Sequence, residues 1–384
     1  MPHRSGPPPS ILCTRTHILP HDTIHQTKMK LKLVAAIFLA LLLALNVCGV
    51  ESRKKGHHHH VKPAYSGPSL YSFGDSFADN GNLQKTEPIS ELSRQWYFPY
   101  NATGRFSNLM VQSDFIANML GQTEAPPARK LLVSNPSPGG MTFAVGGAGV
   151  FPVEQGVSSL GEQVDSFAVL VEDGTIPESH LRNSVALIAL SGLDYNRVRA
   201  DSTNSFADIT AFIANVTSEI AASVQRLQEM GVKKVLVNNL HSLGCTPAGA
   251  RPRKYKACDE QGNVGSDMHN HYLAESLAGI DDVLILDVGA AFSSIVSHHG
   301  DGRGGKVATQ FKHKLAPCCE SVSSKGYCGE VGPASDYDQT ATKLYTLCDQ
   351  PERYFFWDDA NPSQAGWEAV MGQLQGPIKE FLKL

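Results

Sequence analysis

The sequence predicts an α/β fold in three layers, α/β/α, with helices on both faces of a central, mostly parallel sheet. Short apolar runs such as residues 185–190 do not alternate with polar residues, which indicates strands buried on both faces. Between these runs, as in residues 206–230, apolar residues recur every three or four positions, which indicates amphipathic helices. Strands and helices in alternation favour a parallel sheet, whose ligand sites lie beyond the carboxyl ends of the strands.

Most predicted elements have a start or stop signal. Gly74 ends the first strand, Asn108 and Ser363 are candidate helix caps, and Gly121 and Gly231 close helices. In chain order, the predicted elements are a strand at 69–73, a helix at 108–121, a strand at 185–190, a helix at 206–230, a strand at 234–240, a helix at 266–280, a strand at 283–288 and a helix from 363 towards 384.

The N-terminus has the pattern of a secretory signal peptide. Lys30 and Lys32 precede the apolar run 33–45, and small residues follow at 48–49. The run is shorter than the roughly 20 apolar residues that span a bilayer, so no stable membrane span is expected after cleavage. An uncleaved anchor is the alternative. Met29 is the expected translation start, and whether the residues before it are translated stays open.

Three segments follow from this pattern. We expect residues 1–49 to be an extension plus signal peptide, residues 50–67 a flexible linker and residues 68–384 one folded domain. The linker contains four histidines at 57–60, which could bind a metal loosely but are interpreted as part of a flexible tail. Residues 301–350 are rich in Gly, Ser and Cys and are interpreted as a disulfide-stapled loop region within that domain.

Composition excludes some classes of partner. The chain is 42% hydrophobic and 18% charged, with a formal net charge of −4, as in ordinary soluble proteins. The basic runs at 53–55 and 251–256 are short and are interpreted as solvated loops, so no nucleic-acid partner is expected. No motif indicates a metal site or a cofactor, and we predict none. The oligomeric state is left open.

The cysteines agree with an oxidising compartment. An even set in a secreted chain indicates three disulfides, for which about 15 connectivities are possible. The sequons at Asn101 and Asn215 are compatible with N-glycosylation. The cysteines beyond the predicted signal peptide are Cys245, Cys258, Cys318, Cys319, Cys328 and Cys348.

A serine follows the first strand directly. Gly74, Asp75 and Ser76 lie where a nucleophile could meet a substrate, although the same residues are also ordinary turn formers. Five segments in order make a resemblance specific: residues 73–82, 103–108, 142–149, 239–247 and 356–363. Together they resemble the conserved blocks of plant GDSL-type esterases/lipases of the SGNH hydrolase superfamily, over roughly residues 68–384.

The resemblance implies hydrolysis of carboxylic esters through an acyl intermediate on Ser76. It implies that the N–H groups of Ser76 and Gly146 hold the oxyanion, and that Asp358 orients a histidine base. Two positions depart from the family pattern: Leu193 stands where an oxyanion asparagine is expected, and Asn361 stands where the histidine is expected. Because an amide cannot accept a proton near neutral pH, we predict impaired catalysis.

Other residues could compensate only in part. Asn196 lies three residues after Leu193 and is expected to point elsewhere. His241 follows the strand at 234–240, at the correct edge of the sheet, but is interpreted as a loop residue. The remaining histidines show no orienting partner in the sequence; they are His269, His271, His298, His299 and His313.

Three classes of function follow. The first is an impaired hydrolase whose substrate is a small-molecule, lipid or polysaccharide ester. The second is a secreted pseudoenzyme that binds an ester, an acyl chain or an acetylated polysaccharide without turnover. The third, a purely structural secreted protein, has no apolar repeat or charge run to support it. By resemblance, the expected location is extracellular, in the cell wall or apoplast.

Overall fold

The computed structural model describes residues 65–83, 104–131, 137–153, 156–196, 205–296, 309–323, 326–330 and 342–384. The signal peptide, the histidines at 57–60 and most of the predicted linker lie outside these residues and stay predictions. Asn101, His298 and His299 also lie outside them.

The central sheet has five parallel strands, which confirms the predicted fold class. The strands are β1 (Ser69–Gly74), β2 (Gly140–Thr142), β3 (Ser184–Ala189), β4 (Lys234–Asn238) and β5 (Val283–Leu286). Their spatial order is β2-β1-β3-β4-β5.

Eight helices in the described residues cover the sheet or connect its strands. They are α1 (Gln112–Met119), α2 (Leu160–Glu172), α3 (Glu178–Leu181), α4 (Phe206–Glu229), α5 (Pro247–Ala250), α6 (Glu260–Ser276), α7 (Val288–Val296) and α8 (Gln364–Leu382). None of the helices in this described part of the chain is long and apolar enough to cross a membrane.

Successive strand residues point to opposite faces and so build two cores. On one face, Leu70 and Leu187 pack in a cluster that includes Trp367 of α8 and residues of α1 and α7. On the other face, Tyr71 and Ile188 pack in a cluster with residues of α2, α4 and α6. Both faces of each central strand are therefore buried, which is why the strand sequences show no alternation.

Two predicted helix starts need correction. Asn108 does not cap α1, because its Oδ1 accepts a hydrogen bond from the N–H of Gln364, at the start of α8. The helix α1 begins after Val111, whose N–H donates to the Asp114 carboxylate. The helix predicted at 266–280 begins already at Glu260, since residues 260–265 are too polar to show the apolar period. The prediction that Ser363 caps the last helix is confirmed.

The predicted strand at 283–288 is also too long, because Val288 already begins α7. The C-terminal region is stapled as predicted, by Cys318–Cys348 and Cys319–Cys328, while Cys245–Cys258 closes a separate loop. Two small sheets in this region were not predicted. They consist of β6 (His313–Pro317) with β9 (Tyr354–Phe356) and of β7 (Cys319–Ser321) with β8 (Tyr345–Leu347).

Candidate active site

Ser76 lies in a tight turn at the carboxyl end of β1. Gly74 precedes this turn with φ at +121°, and a Cβ atom there would lie 1.9 Å from the carbonyl oxygen of Ala189 in β3. Only glycine fits this close approach of the two strands. The carbonyl oxygen of Asp75 then accepts from the N–H groups of Ala78 and Asp79, as in the first turn of a helix.

The side chain of Asp75 anchors this turn to the neighbouring strand. Its carboxylate accepts from the N–H of Phe77 at 3.1 Å and from both the N–H and the hydroxyl of Ser191 at 2.6 Å. Complete burial raises the pKa of Asp75 to about 6, although these donors oppose the shift. The position of Ser76 is therefore fixed by the hydrogen bonds of its neighbour.

A cleft of about 520 Å³ opens beside Ser76. Four of the five site residues that the resemblance implies line this cleft. They are Ser76, Leu193, Asp358 and Asn361. Ser76 and Leu193 follow the ends of β1 and β3, while Asp358 and Asn361 lie in the segment that precedes α8, so the fold brings distant parts of the chain together.

The fifth residue, Gly146, is not available as an oxyanion donor, and its assignment is corrected. Its N–H donates to the Asp79 carboxylate at 2.7 Å. Asp79 is fully buried and also accepts from the N–H groups of Gly81, Asn82 and Leu83. Gly146 is instead required for packing, since a Cβ atom there would lie 2.2 Å from the ring of Phe106.

The next residue, Gly147, has the properties that were expected of Gly146. It lines the cleft, and its φ of +84° suits glycine. Among the described residues, neither its N–H nor the N–H of Ser76 has a hydrogen-bond partner. The Ser76 N–H is one of the unpaired donors at the start of a helical turn, a common place for an anion. These two N–H groups are the candidate oxyanion donors.

Leu193 brings an apolar side chain to the cleft, where it donates no hydrogen bond. The adjacent Asp194 accepts from the N–H groups of Val150 and Phe151, which ties the end of β3 to the loop after Gly147. Asn196 lines the same cleft, contrary to the expectation that it points elsewhere. It lies one helical turn beyond Leu193, with its N–H bonded to the Leu193 carbonyl oxygen.

The side chains of Asp358 and Asn361 are hydrogen-bonded to each other. The Nδ2 group of Asn361 lies 3.0 Å from each of the two Asp358 carboxylate oxygens. The Asp358 Oδ1 atom also accepts from the N–H groups of Ala360 and Asn361. Burial raises the pKa of Asp358 to about 6, and the donors of this turn lower it in part. Asn361 thus pairs with Asp358 through its carboxamide and offers no titratable nitrogen.

No histidine in the described residues lines the cleft. His241 is 1% exposed and lies between the rings of Phe77 and Phe292, with both ring nitrogens unpaired among the described residues. Burial lowers its pKa to about 3. The prediction that His241 is a loop residue is confirmed, because it lies in the segment after β4, but its ring is buried in the core.

The other described histidines of interest have structural neighbours. His269 is buried, and its Nδ1 lies 2.7 Å from the hydroxyl of Tyr195. His271 lies on the surface beside Glu275, and His313 stacks on Tyr354 at 4.1 Å between ring centroids. None of these three histidines lines the cleft beside Ser76.

Sequence reasoning missed one wall of the cleft. Gly326, Tyr327 and Cys328 line it, and the Cys319–Cys328 disulfide holds them there. Asp359 also lines it, with its Oδ2 3.8 Å from the Arg251 guanidinium. The loss of sequence periodicity in residues 301–350 left no signal for this wall except the cysteines. In the described residues, no cluster of His, Cys, Asp and Glu could hold a metal ion.

Comparison with known proteins agrees with this geometry. The sequence profile of the GDSL-like Lipase/Acylhydrolase family matches residues 70–373. The chain is 32% identical to GDSL esterase/lipase At5g03610 of Arabidopsis thaliana, over 92% of this chain and 98% of that protein. It is 30% identical to GDSL esterase/lipase At3g09930 of the same organism, over 81% of this chain and 88% of that one.

Solved structures are more distant. The lipase Lip_vut3 from a goat rumen metagenome is 12% identical with a TM-score of 0.37, and covers 80% of this chain and 96% of its own. A variant of Axe2, an acetylxylan esterase from Geobacillus stearothermophilus, is 12% identical with a TM-score of 0.31, over 66% of this chain and 87% of its own. On the family profile and the plant relatives, the chain belongs to the plant GDSL esterases/lipases of the SGNH hydrolase superfamily.

Proposed function

We propose that this protein keeps the acyl-binding cleft of its family and hydrolyses carboxylic esters through Ser76 only slowly. The observation that carries the proposal is the Asp358–Asn361 pair. Both carboxylate oxygens of Asp358 accept from the Asn361 amide, so the group that should orient a base holds a carboxamide instead.

The inherited reaction needs three things from the site. The Ser76 oxygen attacks the ester carbonyl carbon, the N–H groups of Ser76 and Gly147 receive the resulting oxyanion, and a base takes the serine proton. The first two needs are met by a backbone that the fold holds in place. The third is not met, because a carboxamide is protonated only at strongly acidic pH. The same missing group would have returned the proton to the leaving alkoxide.

The size of the expected loss follows from other serine hydrolases. Removal of the histidine base costs on the order of a million-fold in turnover, and loss of one oxyanion donor costs roughly 100- to 1000-fold. The two losses need not multiply, because residues of one catalytic unit act together. Binding and the remaining oxyanion donors leave roughly 1000-fold acceleration over water.

The test is hydrolysis of p-nitrophenyl acetate by the purified mature protein. We expect turnover that lies orders of magnitude below that of ordinary esterases. Ser76→Ala should remove only this residual rate. Turnover at the usual rate of about 10 per second, abolished by Ser76→Ala, would refute impairment and would require a base that this cleft does not provide.

Binding without turnover is the second candidate function. It is favoured by a cleft of about 520 Å³ with two backbone N–H groups, at Ser76 and Gly147, that have no partner in the part of the chain that the structure describes. Such a cleft is large enough for a drug-sized ligand. A thermal shift caused by acyl esters or acetylated oligosaccharides, with no product formed, would support it. No shift with any of these ligands would favour a structural role.

Secretion is part of the proposal. The signal-peptide pattern, the three cysteine pairs and an exposed Asn215 on α4 support it. Expression of the full chain in plant cells should place a glycan-bearing protein in the extracellular fluid. Retention of the whole population inside the cell would contradict this part.

A further inference from the structure

The side chain of Gln163, in the first turn of α2, bonds to both backbone polar groups of Gly74. Its Oε1 atom accepts from the Gly74 N–H at 2.8 Å, and its Nε2 group donates to the Gly74 carbonyl oxygen at 2.9 Å. The same Nε2 group donates to the carbonyl oxygen of Ser158 at 3.0 Å. Gln163 is 2% exposed, so these bonds are buried. Because Gly74 lies two residues before Ser76, this amide holds the backbone that leads into the Ser76 turn.

Gln163 takes the place of a neighbouring strand at the end of β1. The strand β2 ends at Thr142, which pairs with Ser72, so Gly74 lies beyond the last paired residue on that side. A carboxamide has the donor and the acceptor of a peptide group and can therefore bond to both polar groups of Gly74. The Gly74 carbonyl oxygen also accepts from the N–H of Val145 at 3.0 Å. On its other side, β1 stays paired with β3 up to Gly74.

The same turn of α2 also bonds to the loop that contains Gly147. The N–H of Leu160 donates to the carbonyl oxygen of Gly149 at 2.9 Å. Ser159 and Glu162 form a capping box that fixes this turn, in which the Ser159 N–H donates to the Glu162 carboxylate at 2.8 Å. The first turn of α2 is therefore bonded to the backbone near each of the two candidate oxyanion donors.

We propose that Gln163 is a positioning residue of the site, which holds the Ser76 N–H at the correct spacing from the Gly147 N–H. An oxyanion is stabilised only when its donors lie about 3 Å from its position, so the spacing of these N–H groups decides how well they act. The inference rests on the proposed function, which assigns both groups to the oxyanion. Gln163 does not line the cleft and acts through the backbone of Gly74.

The test uses phenylboronic acid, which forms a tetrahedral anion on a serine oxygen. The Ser76 oxygen bonds to boron and the hydroxyl proton passes to solvent. The boron keeps both of its hydroxyl groups and carries the negative charge, as the carbon centre of an acyl transfer would carry an oxyanion. The affinity of the purified mature protein is measured from the boron NMR signal of the tetrahedral adduct. Ser76→Ala should remove this signal.

Gln163→Met keeps the length of the side chain and removes its three hydrogen bonds. We expect the boronate to bind about tenfold more weakly, because the Ser76 N–H is displaced from the oxyanion. Gln122→Met is the matched control: Gln122 donates to the Gly139 carbonyl oxygen at 2.9 Å, near the start of β1. The control should lower the free energy of unfolding in urea as well, but leave the boronate affinity unchanged.

A purely structural role of Gln163 would lower the stability of its variant without changing the boronate affinity of the folded protein. If circular dichroism shows that Gln163→Met is unfolded, Gln163→Asn takes its place. That variant keeps a buried amide but withdraws it from Gly74 by one methylene, and the same loss of affinity is expected.

Unchanged boronate affinity in the folded Gln163 variant would overturn the inference, as would an equal loss of affinity in Gln122→Met. A parent protein that forms no adduct on Ser76 would contradict the proposed function itself, because the two N–H groups would then hold no oxyanion, and the inference would fail with it. The signal of the parent therefore distinguishes the two failures.

Discussion

The two sides of the candidate site are held by different parts of the molecule. Around Ser76, the carboxylates of Asp75 and Asp79 bind backbone N–H groups, and the candidate oxyanion donors are themselves backbone groups. On the other side, the chemistry depends on the side chain at position 361, which bonds only to Asp358 among the described residues. The Ser76 side therefore depends on hydrogen bonds that hold the fold together, whereas the other side depends on a single side chain.

This difference agrees with the proposal that the substitutions fall at positions 361 and 193. A substitution around Ser76 would leave buried N–H groups or a buried carboxylate unpaired, and so would destabilise the whole domain. A substitution at position 361 or 193 removes a side-chain group of the candidate site but few of the contacts that stabilise the domain. Loss of function without loss of fold is therefore expected first at Asn361 and Leu193. The predictions below test this contrast, in order of decreasing effect.

The largest effect is expected when the family's side chains are restored at positions 361 and 193. Asn361→His combined with Leu193→Asn supplies a base beside Asp358 and a third oxyanion donor. We expect kcat/KM for p-nitrophenyl acetate to rise by at least about 1000-fold, because the backbone half is already in place. Ser76→Ala in the same background should return the rate to that of the parent. A double variant with no gain would show that the Ser76 side is also distorted.

The next effect concerns the hydrogen bonds to the backbone around Ser76. The carboxylate of Asp79 accepts hydrogen bonds from four backbone N–H groups. Asp79→Asn replaces one of its two acceptor oxygens by an NH2 group, which would face some of these N–H donors. We expect the free energy of unfolding in urea to fall by about 3 kcal/mol. Asp173→Asn, at an exposed carboxylate after α2, is the matched control and should change little. A neutral result for Asp79→Asn would mean that this side is not built into the framework.

A third effect lies beneath the Ser76 turn, where His241 packs against Phe77. Its pKa of about 3 in the folded protein is below the ordinary value of 6.5, so the unfolded chain takes up a proton first as the pH falls. Stability that is present above pH 6.5 should be lost below it, by about 2 kcal/mol at pH 5. His269, with a pKa of about 4, acts in the same direction.

His241→Phe should therefore flatten the dependence of unfolding free energy on pH between 7 and 5, leaving the part that comes from His269. The surface variant His271→Gln serves as the control and should keep the slope of the parent. If His241→Phe leaves the slope unchanged, His241 must be hydrated or paired in solution. The measurement is a series of urea unfolding curves at several pH values.

The smallest effect is expected from Asn361→Ala. The variant removes the two side-chain contacts to Asp358 but leaves the N–H donors of Ala360 and residue 361 in place. We expect the free energy of unfolding to fall by about 1 kcal/mol, clearly less than for Asp79→Asn. A larger loss than for Asp79→Asn, in parallel urea curves, would reverse the contrast between the two sides.

Much of the framework could be predicted from the sequence, because apolar periodicity reports burial directly. The strands at Val185 and Lys234 and the capped helix after Ser363 were predicted in this way. The site was predicted through family resemblance, which brought Ser76 and Asn361 together. Periodicity alone contains no information about which distant residues meet in one cleft.

Two details were beyond the sequence. The choice between Gly146 and Gly147 depends on which N–H the Asp79 carboxylate reaches, 67 positions earlier in the chain. The burial of His241 depends on Phe77 and Phe292 meeting around it, which no local pattern indicates. In both cases a contact between distant segments decides the outcome, and a single sequence does not report such contacts.

The hydrogen bond from Gln364 to Asn108 has a consequence for synthesis of the protein. It joins residues 256 positions apart and fixes the start of the last helix against the segment that follows the Ser76 turn. During translation the N-terminal part leaves the ribosome before α8 does. The cleft can therefore be completed only after α8 has emerged, and a chain truncated before α8 would expose the apolar face of β1 to chaperones and aggregation.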